Sequence, residues 1–133
     1  MISIHNSQFG YKEQILHVEY LQIKSGTLTA LIGKNGSGKS TFLKTLCGML
    51  PTLSGNILIA EKEISECNEK ARSQLVAFVG SSQLIIPYLS VKEFVLLGRS
   101  PYTGVLGRYA AKDIHIVEEM LSLFQLKDLK DRE

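Results

Sequence analysis

The run Gly33-Lys34-Asn35-Gly36-Ser37-Gly38-Lys39-Ser40 fits the pattern G-x-x-x-x-G-K-[ST] without a mismatch. Residues of these types at this spacing can hold a triphosphate. Gly36 and Gly38 keep side chains out of the way, so that backbone N–H groups can form a concave nest around the anion. Lys39 can reach the β- and γ-phosphates, and the Ser40 hydroxyl can bind Mg²⁺. The chain is therefore expected to bind a nucleoside triphosphate.

Such a loop works only if a strand delivers it and a helix carries it away, with the helix N-terminus facing the phosphates. Thr27-Leu28-Thr29-Ala30-Leu31-Ile32 reads as the strand, apolar enough to be buried on both faces. Ser40 to Cys47 reads as the helix, stopped by Gly48 with Pro51 shortly after. Ahead of them, Ile2, Ile4 and Phe9 frame an alternating segment, Phe9-Gly10-Tyr11-Lys12 a turn, and Ile15-Leu16-His17-Val18 a second strand. After them, Ser54-Gly55 reads as a turn into strand Asn56–Ile59, residues 68–73 as one or two helical turns, and Leu75–Val79 as another buried strand. Beyond Gly80 the pattern becomes helical. Ser90-Val91-Lys92-Glu93 is a capping box opening a helix to about Leu97, with Val91, Phe94 and Val95 on one face. Gly98–Tyr102 breaks that helix, and Ile114, Val117, Leu121 and Phe124 mark an amphipathic helix from about Ala111.

Composition sets the outer bounds. With 133 residues, 44% hydrophobic and 21% charged, the chain suits one ordinary globular domain. The 15 basic residues are scattered among 13 acidic ones for a net charge of +2, so charge implies no nucleic-acid partner. Cys47 and Cys67 have no C-x-x-C spacing and no histidine at ligand distance; free thiols in a reducing cytoplasm are expected. No stretch approaches the roughly 18 apolar residues of a membrane span, and Met1-Ile2-Ser3-Ile4-His5 lacks the features of a signal peptide. No direct membrane insertion is expected, so a membrane role would need a partner. His5, His17 and His115 fall in the first strands and the last helix, where structural or surface roles are expected.

In its order of pieces the sequence resembles the nucleotide-binding subunit of an ATP-binding-cassette (ABC) transporter. Gly26–Gly33 followed by Asn35-Gly36-Ser37-Gly38-Lys39-Ser40-Thr41 resembles the family's extended Walker A segment. Leu46-Cys47-Gly48-Met49-Leu50-Pro51-Thr52 and Ser54–Ile59 resemble what the family places next. Tyr11 sits where the family has an aromatic that stacks on adenine, a sensible use of a ring face. Val91-Lys92-Glu93, Gly98-Arg99-Ser100-Pro101-Tyr102 and Gly107-Arg108 resemble the helical subdomain of the branch importing iron–siderophore complexes, haem and cobalamin. The resemblance implies an α/β fold: a P-loop NTPase core with an N-terminal antiparallel β part and the start of a helical subdomain. The whole of 1–133 would be the N-terminal part of one ABC ATPase domain, with β strands and P-loop core in 1–80 and the glutamine-loop region plus part of the helical subdomain in 81–133. Binding of ATP would fall to Tyr11 and Gly33 to Thr41, with Mg²⁺ on Ser40. A second copy of the subunit and a membrane-spanning permease would be partners, placing the protein at the inner face of the cell membrane.

Two departures qualify this. Where the family has a glutamine for Mg²⁺ and the attacking water, alignment through Val91-Lys92-Glu93 places Ser81, with Gln83 shortly after; either the loop brings Gln83 into reach or another group serves. The sequence also stops at Glu133, just past the Asp131-Arg132 pair after which the family continues into its Leu-Ser-Gly-Gly-Gln segment, an Asp-Glu strand and a switch histidine. Leu53-Ser54-Gly55-Asn56 and Ile116-Val117-Glu118-Glu119 are superficially like such segments, yet a turn and a helical face account for them. The expected function is the ATP-hydrolysing subunit of an importer, with the 133-residue chain alone binding ATP without hydrolysing it. Alternatives are a binding-only nucleotide module and a cassette acting on DNA or the ribosome. In the family fold, strands from beyond this point lie beside the strand that delivers Walker A, so uncovered strand edges and apolar surface are expected here.

Overall fold

A computed structural model describes residues 1–81, 86–104 and 106–133. They form two compact units, Met1–Phe78 and Val79–Glu133.

The first unit is built on an antiparallel sheet. Strands β1 (Ile2–Gly10) and β2 (Gln14–Ile23) form a hairpin, and β3 (Ser54–Ile59) and β4 (Lys62–Glu63) complete the order β2-β1-β3-β4. Ile4 and Phe9, five residues apart in β1, both turn inward because an irregularity at Asn6 interrupts the alternation, and they pack with Ile57, Ile59 and Ile64. Helix α1 (Lys39–Leu46) lays Phe42 and Leu46 on this surface, and the Phe9 and Phe42 rings meet at 4.9 Å. A bulge at Asn6, with φ 42°, shifts the β1–β3 register and lets the buried Ser7 hydroxyl donate to the carbonyls of His5 and Asn56. The pair Ser54-Gly55, expected as a turn, instead opens β3 opposite that bulge.

Helix α1 ends in a Schellman motif. Gly48 takes φ 66° and donates to the Thr45 carbonyl, while Met49 donates to Lys44 at 2.9 Å. Helix α2 (Glu69–Leu75) starts on Asn68, whose side chain accepts from the Ala71 N–H.

Two expected strands are not formed. Residues 27–34 and 76–80 join no sheet, and Leu75, expected to begin a strand, ends α2. Leu28, Ile32 and Val79 are almost fully exposed. A run apolar on both faces becomes a strand only when neighbours offer it backbone partners. The four strands pair with one another, and among the described residues none pairs with these segments. The exposed apolar surface expected from the resemblance is thus present.

The second unit pairs helix α3 (Val91–Leu97) with helix α4 (Ala111–Leu123). The capping box at Ser90 and Glu93 forms as read, and the Ser90 hydroxyl and then the Ser90 N–H, both donating to it, hold the Glu93 carboxyl below its usual range. Its first amides are also occupied, with Val91 and Lys92 donating to the carbonyls of Arg132 and Lys130. Val117 and Leu121 are buried, and Lys92 bonds Glu118 at 2.7 Å across the pair. Phe94, read on one face with Val91 and Val95, and Phe124, read in the apolar period of the last helix, are exposed. Phe124 is the C-cap of α4 rather than part of it, and Gln125 follows in the left-handed region with φ 56°.

Candidate phosphate-binding site

The loop that could hold a phosphate ends on Gly38, the N-cap of α1. Gly38 has φ 87°, and its carbonyl accepts the first helical hydrogen bond from Phe42 at 2.8 Å. An added Cβ would also lie 2.9 Å from Ile15 Cγ2, so both backbone and space require glycine there. Ser37 donates to the Lys34 carbonyl at 3.2 Å, closing the turn before it. Ile15 therefore forms a wall behind the loop, a role not evident from its place in an alternating strand.

Lys39 folds back over this turn. Its Nζ donates to the Gly33 carbonyl at 2.8 Å and to the Lys34 carbonyl at 2.7 Å. The first turn of α1 carries no acidic residue, so the positive end of the helix is not offset locally. Lys34, Asn35, Gly36, Ser37 and Ser40 are exposed or nearly so, and Gly36 takes φ 80°. Thr41 is buried, and its carbonyl accepts from the Thr45 hydroxyl at 2.9 Å. A loop of this sequence can present backbone N–H groups, an ammonium and a hydroxyl to an anion.

Tyr11 is 59% exposed in the turn joining β1 and β2, the hairpin whose Ile15 touches Gly38. A ring this free can take a ligand on its face. Ser81 is an exposed bend, and Gln83 lies outside the described residues. The histidines have surface partners: His5 lies against Tyr20, His17 bonds the Asn6 side chain, and His115 pairs with Glu119. Glu118 is taken up by Lys92, as a helical acidic face would be. Cys47 and Cys67 are free, and partial burial pushes the Cys47 thiol up. Among the described residues no cluster of three metal-ligating side chains occurs, and no helix is long and apolar enough to cross a membrane.

Sequence reasoning missed one buried polar cluster. Asp113 is almost wholly buried, accepting from Arg99 Nε at 3.0 Å and from the Ala110 N–H at 2.9 Å, and the Arg99 guanidinium lies 3.9 Å from the Tyr102 ring centre. An aspartate at the third position of a helix was a visible capping signal. Nothing in the sequence tied it to Arg99.

The family described as ABC transporter matches residues 16–133. The petrobactin import ATP-binding protein YclP of Bacillus subtilis is 31% identical, covering 99% of this chain and 52% of its own length. The manganese transport system ATP-binding protein MntB of the same organism is 32% identical, over 92% of this chain and 48% of its own. A solved ATP-binding subunit of an ABC transporter superposes with a TM-score of 0.79 at 25% identity, over 98% of this chain and 53% of that one. The chain thus spans about half the length of the relatives it matches.

Proposed function

The chain belongs to the ABC transporter family, and from that premise we propose that it is the nucleotide-binding part of an ATP-driven importer for iron–siderophore complexes. The carrying observation is the loop at the start of α1, with Gly38 left-handed against Ile15 and the Lys39 ammonium folded onto loop carbonyls.

The residues fit a nucleotide. Lys39 exchanges the carbonyls of Gly33 and Lys34 for phosphate oxygens, and the N–H groups from Lys34 to Thr41 take the remaining charge. Tyr11 stacks on the base. Ser40 offers its hydroxyl to Mg²⁺, which when bound neutralises charge on the phosphates. Gln83 or Ser81 orients the water. Hydrolysis needs further groups around the transferring phosphoryl, which the complete subunit and a second copy of it supply. This chain alone holds ATP without turnover. The partner is a membrane-spanning permease at the inner face of the cell membrane.

A siderophore complex is favoured as cargo by the Gly98–Tyr102 segment and by similarity to a petrobactin importer's ATP-binding protein. Similarity to a manganese transport protein keeps a bare metal ion as the competing cargo.

The test is titration of the 133-residue chain with MgATP, with phosphate release followed in parallel. Wild type should bind, Lys39→Ala should weaken binding on the order of tenfold or more through loss of a charge-assisted contact, and neither should release phosphate. Unchanged affinity in Lys39→Ala would overturn the site. Lys39-dependent phosphate release would overturn the binding-only assignment of this chain.

A further inference from the structure

The connection between α3 and α4 contains a short 3-10 turn, Ser100–Tyr102, and beside it the chain buries a charge. The Asp113 carboxylate accepts on one oxygen from the guanidinium of Arg99, with Nε and a terminal nitrogen each at 3.0 Å, and on the other from the Ala110 N–H at 2.9 Å. The same guanidinium also lies over the Tyr102 ring, 3.9 Å from its centre. One side chain therefore joins the end of α3, the aromatic of the turn and the first turn of α4.

A buried ion pair is a poor way to gain stability, because apolar residues of the same volume often do as well; what it can supply is a single arrangement. Arginine suits that use, having a planar fork for the carboxylate and a flat face for the ring, neither of which lysine reproduces. The two helices have separate attachments: Lys92 to Glu118, the buried Val117 and Leu121, and the carbonyls of Lys130 and Arg132 on the amides that open α3.

We propose that Arg99 and Asp113 form a latch that fixes the turn Ser100–Tyr102 against the start of α4, and that its opening frees the turn while the α3–α4 pair stays folded. The latch is a local conformational device, and its opening is sub-global.

Hydrogen exchange followed by mass spectrometry on the 133-residue chain tests it. In Arg99→Lys, amides of residues 98–103 should exchange at least on the order of tenfold faster, as expected for losing a charge-assisted contact. Amides within α3 and α4 should keep wild-type protection. Tyr102→Leu, which removes only the stacking face, should give a smaller acceleration confined to the same residues. Unchanged exchange at 98–103 in Arg99→Lys would overturn the latch. So would equal acceleration across both helices in both variants, because the cluster would then be part of the unit's general stability.

Discussion

Lys39 and Asp113 show how differently single residues announce themselves. Lys39 belongs to a motif whose members are chain neighbours, so the turn, the glycines and the ammonium could be read together and the structure brings them together. Asp113 and Arg99 meet only because α4 returns beside α3, and pairing between separate elements leaves no local spacing to read. Their pairing has a consequence in acid. The Ala110 N–H and then the Arg99 guanidinium hold the Asp113 carboxyl below its usual range. Its ordinary value is about 3.9, so the folded protein binds fewer protons than the unfolded chain just below that pH. The stabilisation is complete above about pH 4 and is lost as pH falls through the lower folded value. Glu93 and Glu118 are lowered too, by Ser90 and Lys92 respectively, and Lys112 also acts on Asp113, so total stability mixes several groups. Comparison with Asp113→Asn isolates one share. In denaturant titrations the wild-type advantage over this variant should be largest near neutrality and shrink below about pH 4. An advantage independent of pH would contradict the pairing.

Elements were readable where their ends carry chemistry and misread where they depend on neighbours. The cap at Ser90 and the stop at Gly48 placed two helix boundaries, because each satisfies backbone groups within its own turn, whereas the cap at Asn68 was not read as one. The segments 27–32 and 75–79 have strand composition, yet composition records a taste for burial and says nothing about who supplies the hydrogen bonds. The β3–β4 hairpin is the opposite case, formed despite unsuitable residues. Ile59 pairs with Lys62, leaving Ala60 and Glu61 as the loop, with φ 48° and 66°. Both angles positive in a two-residue loop is the type I′ pattern, which favours asparagine followed by glycine. Holding a side chain in that region costs roughly 1 kcal/mol. Glu61→Gly should therefore stabilise the chain by up to about 1 kcal/mol, less whatever the freer unfolded chain gives back. A thermal melt checks this, and a lowered midpoint would mean that the Glu61 side chain makes a contribution the backbone angles do not reveal.

For the whole molecule, what matters is how much apolar surface the chain leaves open. A short segment with strand composition and free backbone N–H and C=O groups is a template for pairing with another chain. Residues 27–32 have such composition and join no strand among the described residues, with Leu28 and Ile32 almost fully exposed, as is Val79 in the segment 75–79. Net charge of +2 offers little repulsion against association. The 133-residue chain by itself should therefore self-associate, with sedimentation velocity showing species that grow as concentration rises. Leu28→Lys places a charge on the free edge without touching the core of Ile4, Phe9, Phe42 and Ile57, and should move the distribution toward monomer with the melting midpoint little changed. A sharp monomeric melt that is independent of concentration would show that the segment is covered in solution, and the edge would then have to be satisfied within the chain. Binding of MgATP separates the two cases further, because a nucleotide held as proposed at Lys39 and Ser40 would order the loop that directly follows Ile32. If the free edge drives association, nucleotide should shift the equilibrium only as far as it reorganises that segment, while Leu28→Lys should act with or without it.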